Sequence, residues 1–244
     1  SSRRRAPSPG RSRRPRTCSG SVPARRAVPR PGGREAAADV WYVHGVAAHA
    51  HPLRIGFKAS SEQFGPVELL ALAVEAERLG YDTVAISDHF QPFRHTGGHS
   101  PASLPWLGAV ATRTSRVQLM TSVLTPTFRY HPSVVAQAFA TLALLAPGRV
   151  ILGVGTGESL NDVPATDAAW PAGGERLRLL QEAVELMRTL WREERVSFAG
   201  KAFRTRLATI YDRPETPVPV YVAASAPRPG TCTSIPGPAC SITT

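Results

Sequence analysis

The chain has 244 residues, enough for one domain of ordinary size, and a formal net charge of +11. Residues 1–34 contain eleven arginines and no lysine or acidic residue, so the rest of the chain holds 18 basic and 18 acidic residues. The folded part is therefore expected to be neutral, which argues against a basic binding surface built into the fold. No apolar run reaches the roughly 18 residues of a transmembrane helix.

The first 34 residues are rich in Arg, Pro, Ser and Gly, and we expect residues 1–52 to form a disordered N-terminal segment. One interpretation is a nucleic-acid-binding arm, because clustered arginines attract phosphate. Another is a twin-arginine export signal at Arg13-Arg14 or Arg25-Arg26, although no apolar segment follows either pair. We favour a third, sequence foreign to the native fold, because a shifted frame in a GC-rich gene yields this composition.

Residues 53–225 alternate between short apolar strands and amphipathic helices, which predicts a parallel sheet with right-handed crossovers. In the first helix, which Pro66 opens and Gly80 closes, one apolar face is predicted to be buried. That face comprises Leu69, Leu72, Ala73, Ala76 and Leu79. The predicted strands cover residues 53–57, 83–87, 117–124, 149–154 and 218–223, and the predicted helices cover residues 66–79, 101–112, 133–145 and 177–191.

Two features complete this pattern. Residues 196–198 and 203–205 flank a glycine-containing turn and predict an antiparallel excursion before the fifth strand. Residues 226–244 are rich in proline and lack an amphipathic period, so they predict a tail that does not belong to the fold. A closed barrel needs eight strand–helix units. Five strands therefore fit either an open sheet or a barrel truncated after its fifth strand, with exposed strand edges and poor solubility.

The three cysteines are expected to be free thiols in a reducing compartment. Cys18, Cys232 and Cys240 form no CxxC pair, so neither a disulfide framework nor a zinc site is predicted.

Polar residues follow four successive predicted strands. In α/β folds ligands bind beyond the carboxyl ends of the strands, so this convergence predicts an active site there. The residues in question are Glu62 after the first strand, Asp88 and His89 after the second, Ser122 and Thr125 at the third, and Gly157, Glu158 and Asn161 after the fourth.

Two of these residues can carry proton-transfer chemistry. His89 suits it because histidine titrates near neutrality, but a structural hydrogen-bonding role fits equally well. Glu158 suits a general acid beside a glycine-rich loop, and helix capping or a surface salt bridge is its alternative. The loop is not a dinucleotide fingerprint, because Glu158 stands where the third glycine belongs. A nicotinamide cofactor is therefore not indicated.

Several sequence blocks together resemble the F420-dependent glucose-6-phosphate dehydrogenase family of luciferase-like oxidoreductases. The related F420-dependent hydroxymycolic acid dehydrogenases share much of the pattern. The blocks include FKASSEQF (57–64), SDHFQPFRHTGGHSP (87–101), TSVLTPTFRYHP (121–132) and LGVGTGESLNDV (152–163), and the similarity extends over residues 53–225. The resemblance implies a (β/α)8 TIM barrel of the bacterial luciferase-like type. It also implies an enzyme that passes hydride from a sugar phosphate to coenzyme F420 and that forms a homodimer if the fold is complete. We expect the protein to be cytoplasmic and to bind no membrane or nucleic acid.

The same resemblance implies roles for individual residues. His89 would take the substrate hydroxyl proton, Glu158 would protonate the reduced coenzyme, and Glu62 would lie beside the hydroxyl. Phe93 would be on the substrate side, where the family has tryptophan. The coenzyme would be lined by Asp88, Ser122, Val123, Thr125, Gly157 and Asn161, with a cis peptide bond between Ser122 and Val123.

Some departures from the family weaken the implied activity. Ser225-Ala226 replaces a glycine pair, and the family's phosphate-binding residues would lie downstream of residue 226, where this chain has no equivalent. If the tail is genuine, we expect a fragment that binds the coenzyme weakly and does not turn over glucose 6-phosphate. If an adjacent reading frame continues the strand–helix pattern, we expect the native enzyme to be a full F420-dependent barrel. The alternatives are an FMN-dependent luciferase-like monooxygenase and a non-enzymatic, basic-tailed nucleic-acid-binding protein.

Overall fold

A computed structural model of the chain describes residues 53–223 and 241–242. The predictions for residues 1–52, for the three cysteines and for most of the tail concern residues outside these ranges. In the described ranges, no helix is long and apolar enough to cross a membrane.

The architecture is a parallel sheet whose strands alternate with helices, so the predicted α/β class is confirmed. The strands are hydrogen-bonded in chain order, β1 to β6, and all neighbours run parallel. The strands are β1 (Gly56–Ala59), β2 (Thr83–Ile86), β3 (Gln118–Thr121), β4 (Val150–Val154), β5 (Val220–Ala223) and β6 (Ser241–Ile242). The helices are α1 (Pro66–Arg78), α2 (Ser103–Arg113), α3 (Pro132–Leu145), α4 (Ser159–Thr166) and α5 (Gly173–Arg192).

The hydrophobic core lies around the central strands of the sheet, which are largely buried. All five residues of β4 are buried, as expected for a central strand of a parallel sheet. Helices α3 and α5 pack against each other, and the Trp191 indole N–H donates to the Ala136 carbonyl at 2.8 Å. Pro66 and Pro132 begin α1 and α3, at the position where a proline costs no helical hydrogen bond.

Two predictions about apolar residues near the sheet edge are wrong. The first strand begins at Gly56 rather than at residue 53, and both Leu53 and Ile55 are exposed. In α1, Leu72 and Leu79 are 36% and 62% exposed. The helix is buried only along the narrower stripe of Leu69, Ala73 and Ala76, which face β1 and α2.

The structure also contains two elements that the sequence did not predict. Helix α4 lies inside what was predicted to be a long loop after β4. Strand β6 lies in the Pro-rich tail, where Ser241 and Ile242 pair with Val222 and Ala223. Backbone pairing rather than an apolar pattern defines this two-residue strand, so periodicity could not have found it.

The predicted antiparallel excursion between α5 and β5 is confirmed. Isolated bridges join Val196 to Ala208 and Ala199 to Arg204. The Glu182 carboxylate of α5 accepts hydrogen bonds from the backbone amides of Lys201, Ala202 and Phe203 at 2.7–3.0 Å. One helix side chain thus fixes the turn of the excursion.

Candidate active site

A cavity of about 420 Å³ opens at the carboxyl ends of β1 to β5. The alternation of strand and crossover helix places all strand ends at the same edge of the sheet, so residues far apart in sequence meet there. The cavity brings together all ten residues that the sequence singled out. They are Glu62, Asp88, His89, Phe93, Ser122, Val123, Thr125, Gly157, Glu158 and Asn161.

At the centre of this cavity, the His89 imidazole lies between two carboxylates. Its Nδ1 is 2.7 Å from Glu62 Oε1, and its Nε2 is 3.9 Å from Glu158 Oε2. The His89 and Glu62 side chains are largely buried, whereas the Glu158 side chain is 59% exposed. One carboxylate can therefore orient the ring. The other accepts a hydrogen bond from Asn161 Nδ2 at 3.4 Å and is exposed at the rim, where it can exchange protons with a ligand or with water.

Glu62 is held in its ionised form. Burial alone would raise the pKa of this carboxyl, but hydrogen bonds from His89, from its own backbone amide and from Ser87 lower the pKa to about 2. The Ser61 hydroxyl donates a further hydrogen bond to Glu62 Oε1 at 3.2 Å. A permanently charged acceptor beside Nδ1 favours a histidine that takes up a proton at its other ring nitrogen.

Phe93 packs at the mouth of the cavity. Its ring makes an edge-to-face contact with the His89 ring, with centroids 5.1 Å apart, and it is largely exposed. A phenylalanine here retains the aromatic contact with the histidine but offers no N–H donor to a ligand.

The end of β4 and the loop after it approach the end of β3 closely. A Cβ on Gly153 would lie 1.9 Å from the Thr121 carbonyl oxygen, and a Cβ on Gly155 would lie 2.8 Å from Val123 Cγ2. Gly157 adopts a φ of 87°, a left-handed conformation that favours glycine. The Ser122–Val123 peptide bond is cis, as predicted. These glycines therefore allow β4 and the loop after it to pack closely against the end of β3.

Two of the predicted coenzyme-lining residues use their side chains within the protein. Asn161 Oδ1 accepts hydrogen bonds from the backbone amides of Phe90 and Gln91 at 3.1 and 3.3 Å. The Asp88 carboxylate accepts hydrogen bonds from Ser103 Oγ at 2.5 Å and from Arg129 Nη2 at 2.7 Å. Both residues line the cavity, and their roles towards a coenzyme remain predictions.

Lys58, an ionisable residue that lines the cavity, was among the polar residues at the end of the first predicted strand, but no role was predicted for it. Its ammonium group donates to Ser87 Oγ at 2.8 Å and to the Ser122 carbonyl at 2.6 Å. Burial lowers the pKa of this lysine, and the nearby Glu62 carboxylate offsets part of that effect. Its position at the end of the first apolar strand was the available signal. Its proximity to the Glu62 carboxylate became evident only in the tertiary structure.

A buried ionic cluster of Asp88, Arg129 and Asp162 was likewise not predicted. Arg129 Nη2 contacts Asp88, and its Nε lies 3.2 Å from Asp162 Oδ1. Burial raises the pKa of Asp162, and the Asp88 charge adds to that rise, while the Glu158 amide and Arg129 oppose it. The three residues are separated by more than 30 positions along the chain, so no local motif could have linked them.

The residues that the structure describes include no group of three or more His, Cys, Asp or Glu side chains placed to hold a metal ion. The ionisable residues at the centre of the cavity instead form pairs with one another.

The chain is similar in sequence to a family of known proteins. The family model of the luciferase-like monooxygenases matches residues 47–229. The F420-dependent glucose-6-phosphate dehydrogenase of Nakamurella multipartita is 64% identical over 176 residues, which are 72% of this chain and 52% of the relative. The enzyme of the same name from Segniliparus rotundus is 60% identical over 173 residues, 71% of this chain and 52% of that enzyme. The chain thus spans about half the length of the curated relatives it matches.

Solved structures show the same relationship. An F420-dependent secondary alcohol dehydrogenase in complex with an F420–acetone adduct superposes with a TM-score of 0.69 at 40% identity, covering 70% of this chain and 52% of that one. The coenzyme F420-dependent tetrahydromethanopterin reductase of Methanopyrus kandleri shares the fold, with a TM-score of 0.61 at 21% identity over 72% of this chain and 51% of that one. The resemblance seen in the sequence blocks is therefore confirmed, and the chain belongs to the luciferase-like monooxygenase family.

Proposed function

We propose that this chain carries the coenzyme-binding and proton-transferring part of an F420-dependent dehydrogenase that oxidises a hydroxyl group. The observation that supports it most is the His89 ring held between Glu62 and Glu158, at 2.7 and 3.9 Å, in a cavity at the strand ends. The names of the curated relatives make glucose 6-phosphate the first substrate to test. By the same resemblance we propose a cytoplasmic homodimer that binds no membrane or nucleic acid.

The cavity residues fit a planar coenzyme ring. A volume of about 420 Å³ is within the range of small-molecule sites. Val123, Gly155 and Ala223 contribute small apolar groups to the lining, together with the polar side chains of the cavity. The residues that would hold the coenzyme are those that the resemblance implies, namely Asp88, Ser122, Val123, Thr125, Gly157 and Asn161.

Coenzyme F420, when bound, supplies the acceptor for the hydride that leaves the substrate carbon. His89 takes the hydroxyl proton at Nε2, the ring nitrogen that faces away from Glu62. The ionised Glu62 stabilises the imidazolium that forms and fixes the orientation of the ring. Glu158, at the exposed rim, donates a proton on the coenzyme side. Lys58 holds the Ser122 carbonyl and keeps the floor of the site in place.

Titrating the purified 244-residue chain with F420 tests this proposal. Binding is followed through coenzyme fluorescence, with FMN titrated in parallel, and reduction is followed by loss of coenzyme absorbance after glucose 6-phosphate or a secondary alcohol is added. We expect binding of F420 and not of FMN. Saturable FMN binding without F420 binding would instead identify the flavin-dependent monooxygenase alternative.

The variant His89→Asn isolates the proton-transfer role. Because Asn cannot accept the hydroxyl proton, coenzyme reduction should fall by about 100-fold or more while F420 affinity stays the same. His95, on the exposed loop after β2, is the matched control, and His95→Asn should change neither quantity. Equal rates for the two variants would remove His89 from the mechanism.

A further inference from the structure

Arg129 is almost completely buried between two carboxylates, one in the loop after β2 and the other in helix α4. The Arg129 side chain is 11% exposed, and those of Asp88 and Asp162 are 1% and 3% exposed. Arg129 Nη2 donates to Asp88 Oδ2 at 2.7 Å and also to the Asp88 carbonyl, and Nε donates to Asp162 Oδ1 at 3.2 Å. One guanidinium thus spans the loop after β2 and helix α4.

Each carboxylate is adjacent to a residue of the proposed proton-transfer pair. Asp88 directly precedes His89 in the chain, and Arg129 binds both its side chain and its carbonyl. Asp162 Oδ2 accepts the backbone amide of Glu158 at 3.1 Å. His89 and Glu158 are therefore connected by a continuous series of covalent and hydrogen-bonded contacts through Asp88, Arg129 and Asp162.

From these contacts we infer that Arg129 is a positioning residue, which sets the separation of His89 and Glu158 by binding the backbone segments that carry them. The inference rests on the proposed function for its catalytic meaning. Arginine suits the task because its planar fork presents several N–H donors at fixed angles, whereas a lysine ammonium is a single point charge. Two buried carboxylates also need a cation between them, because removing it leaves like charges unpaired.

A second link between the same segments does not replace this one. Asn161 Oδ1 binds the amides of Phe90 and Gln91, and the Gln91 side-chain amide donates to the Leu160 carbonyl at 2.9 Å. These contacts hold α4 against the residues that follow His89. The Glu158 backbone amide donates to Asp162 instead, so its position depends on the contact between Asp162 and Arg129.

The test compares Arg129→Lys with Arg149→Lys in the 244-residue chain. Arg149 is a matched control because it is also partly buried, and it donates to Ala111 O, Thr114 Oγ1 and Val117 O at the opposite end of the sheet. Amide hydrogen exchange is measured by NMR without ligand. We expect exchange of the Glu158 amide to accelerate about tenfold in Arg129→Lys, through loss of one charge-assisted hydrogen bond, and to stay unchanged in Arg149→Lys. Unchanged exchange in Arg129→Lys, or equal acceleration in both variants, would overturn the inference.

Coenzyme measurements separate this inference from the proposed function. In Arg129→Lys, the rate of F420 reduction should fall about 100-fold with F420 affinity unchanged, because misplacing catalytic groups costs rate and not binding. A parallel loss of affinity, or an unchanged rate, would contradict a positioning role. Failure of the wild-type chain to bind F420 would sink the proposed function, while the exchange comparison would still decide whether Arg129 joins the two segments.

Discussion

At the scale of single residues, the site depends on carboxylates kept charged in a partly dry cavity. Glu62 remains ionised because His89, Ser87 and its own amide donate to it. Asp162 shows the opposite tendency, because burial and the neighbouring Asp88 raise its pKa. Both residues line the same cavity, and perturbed pKa values of this kind cluster at functional sites.

The lowered pKa of Glu62 predicts a pH-dependent contribution to stability. Because the folded pKa of about 2 lies below the ordinary value of 4.5, the stabilisation is fully present above about pH 5 and is lost as the pH falls towards 2. Glu62→Gln should therefore unfold at lower denaturant concentration than the wild type at pH 7, and the difference should shrink at about pH 3. Urea unfolding at both pH values measures it, and a difference that grows on acidification would refute the assignment.

Gly153 should tolerate no side chain, since a Cβ would lie 1.9 Å from the backbone oxygen of Thr121. Gly153→Ala is expected to cost about 3 kcal/mol in unfolding free energy because β3 and β4 must move apart. Gly108→Ala is the control, because Gly108 lies inside α2 with nothing within 4 Å of an added Cβ, and it should stabilise by about 1 kcal/mol. Urea unfolding distinguishes the two, and similar values for both would show that the close approach of the strands is unimportant.

At the scale of elements, side-chain carboxylates join helices to turns that lack regular backbone pairing. Glu77 of α1 accepts the amides of Ser115, Arg116 and Val117 before β3, just as Glu182 of α5 accepts three amides of the excursion. Burial alone would raise the pKa of both carboxyl groups. The hydrogen bonds from the backbone N–H groups outweigh this effect, so both pKa values are lowered.

Removing the Glu182 contact should loosen the excursion without affecting the cavity. Glu182→Ala leaves three backbone N–H groups without this acceptor, and we expect a loss of about 1 kcal/mol in stability, with faster amide exchange at residues 200–203. The exposed Glu185, one turn along α5, serves as control through Glu185→Ala. If exchange at residues 200–203 is the same in both variants, the carboxylate does not hold the turn.

At the scale of the whole molecule, the excess positive charge and the α/β sheet lie in different parts of the sequence. We propose that the domain of luciferase-like fold begins near residue 53 and, apart from the short strand β6 in the tail, ends near residue 225, and that the Arg-rich segment contributes nothing to it. In the described ranges, β1 and β6 are the two outer strands of the sheet, and they do not pair with each other.

Deleting residues 1–34 tests this separation. The eleven arginines carry the whole excess of positive charge, so the shortened chain should be nearly neutral and should unfold at the same temperature as the full chain. Any salt-dependent binding to DNA should vanish with the segment, because the remainder has balanced charge. DNA binding retained by the shortened chain, measured by fluorescence anisotropy, would show a basic surface within the fold.

Much of the fold and site was predictable because it depends on short-range patterns. The apolar periods predicted the order and type of the five main strands and of four helices. The rule that ligands bind at the carboxyl ends of parallel strands placed His89, Glu158 and Glu62 among the candidate residues. The family resemblance supplied their roles, which stay predictions. Errors fell at the edges of elements, as with Leu72 and Leu79, because exposure there depends on what packs against a helix rather than on its period.

The sequence by itself determined which residues meet at the strand ends, because strand–helix alternation forces all parallel strands to finish at one edge. Only the tertiary structure decided how those residues pair. Lys58 binds the Ser122 carbonyl 64 positions away, and Arg129 joins Asp88 to Asp162 across gaps of 41 and 33 positions. Such contacts follow from side-chain directions and burial at the strand ends, which no local spacing along the chain encodes.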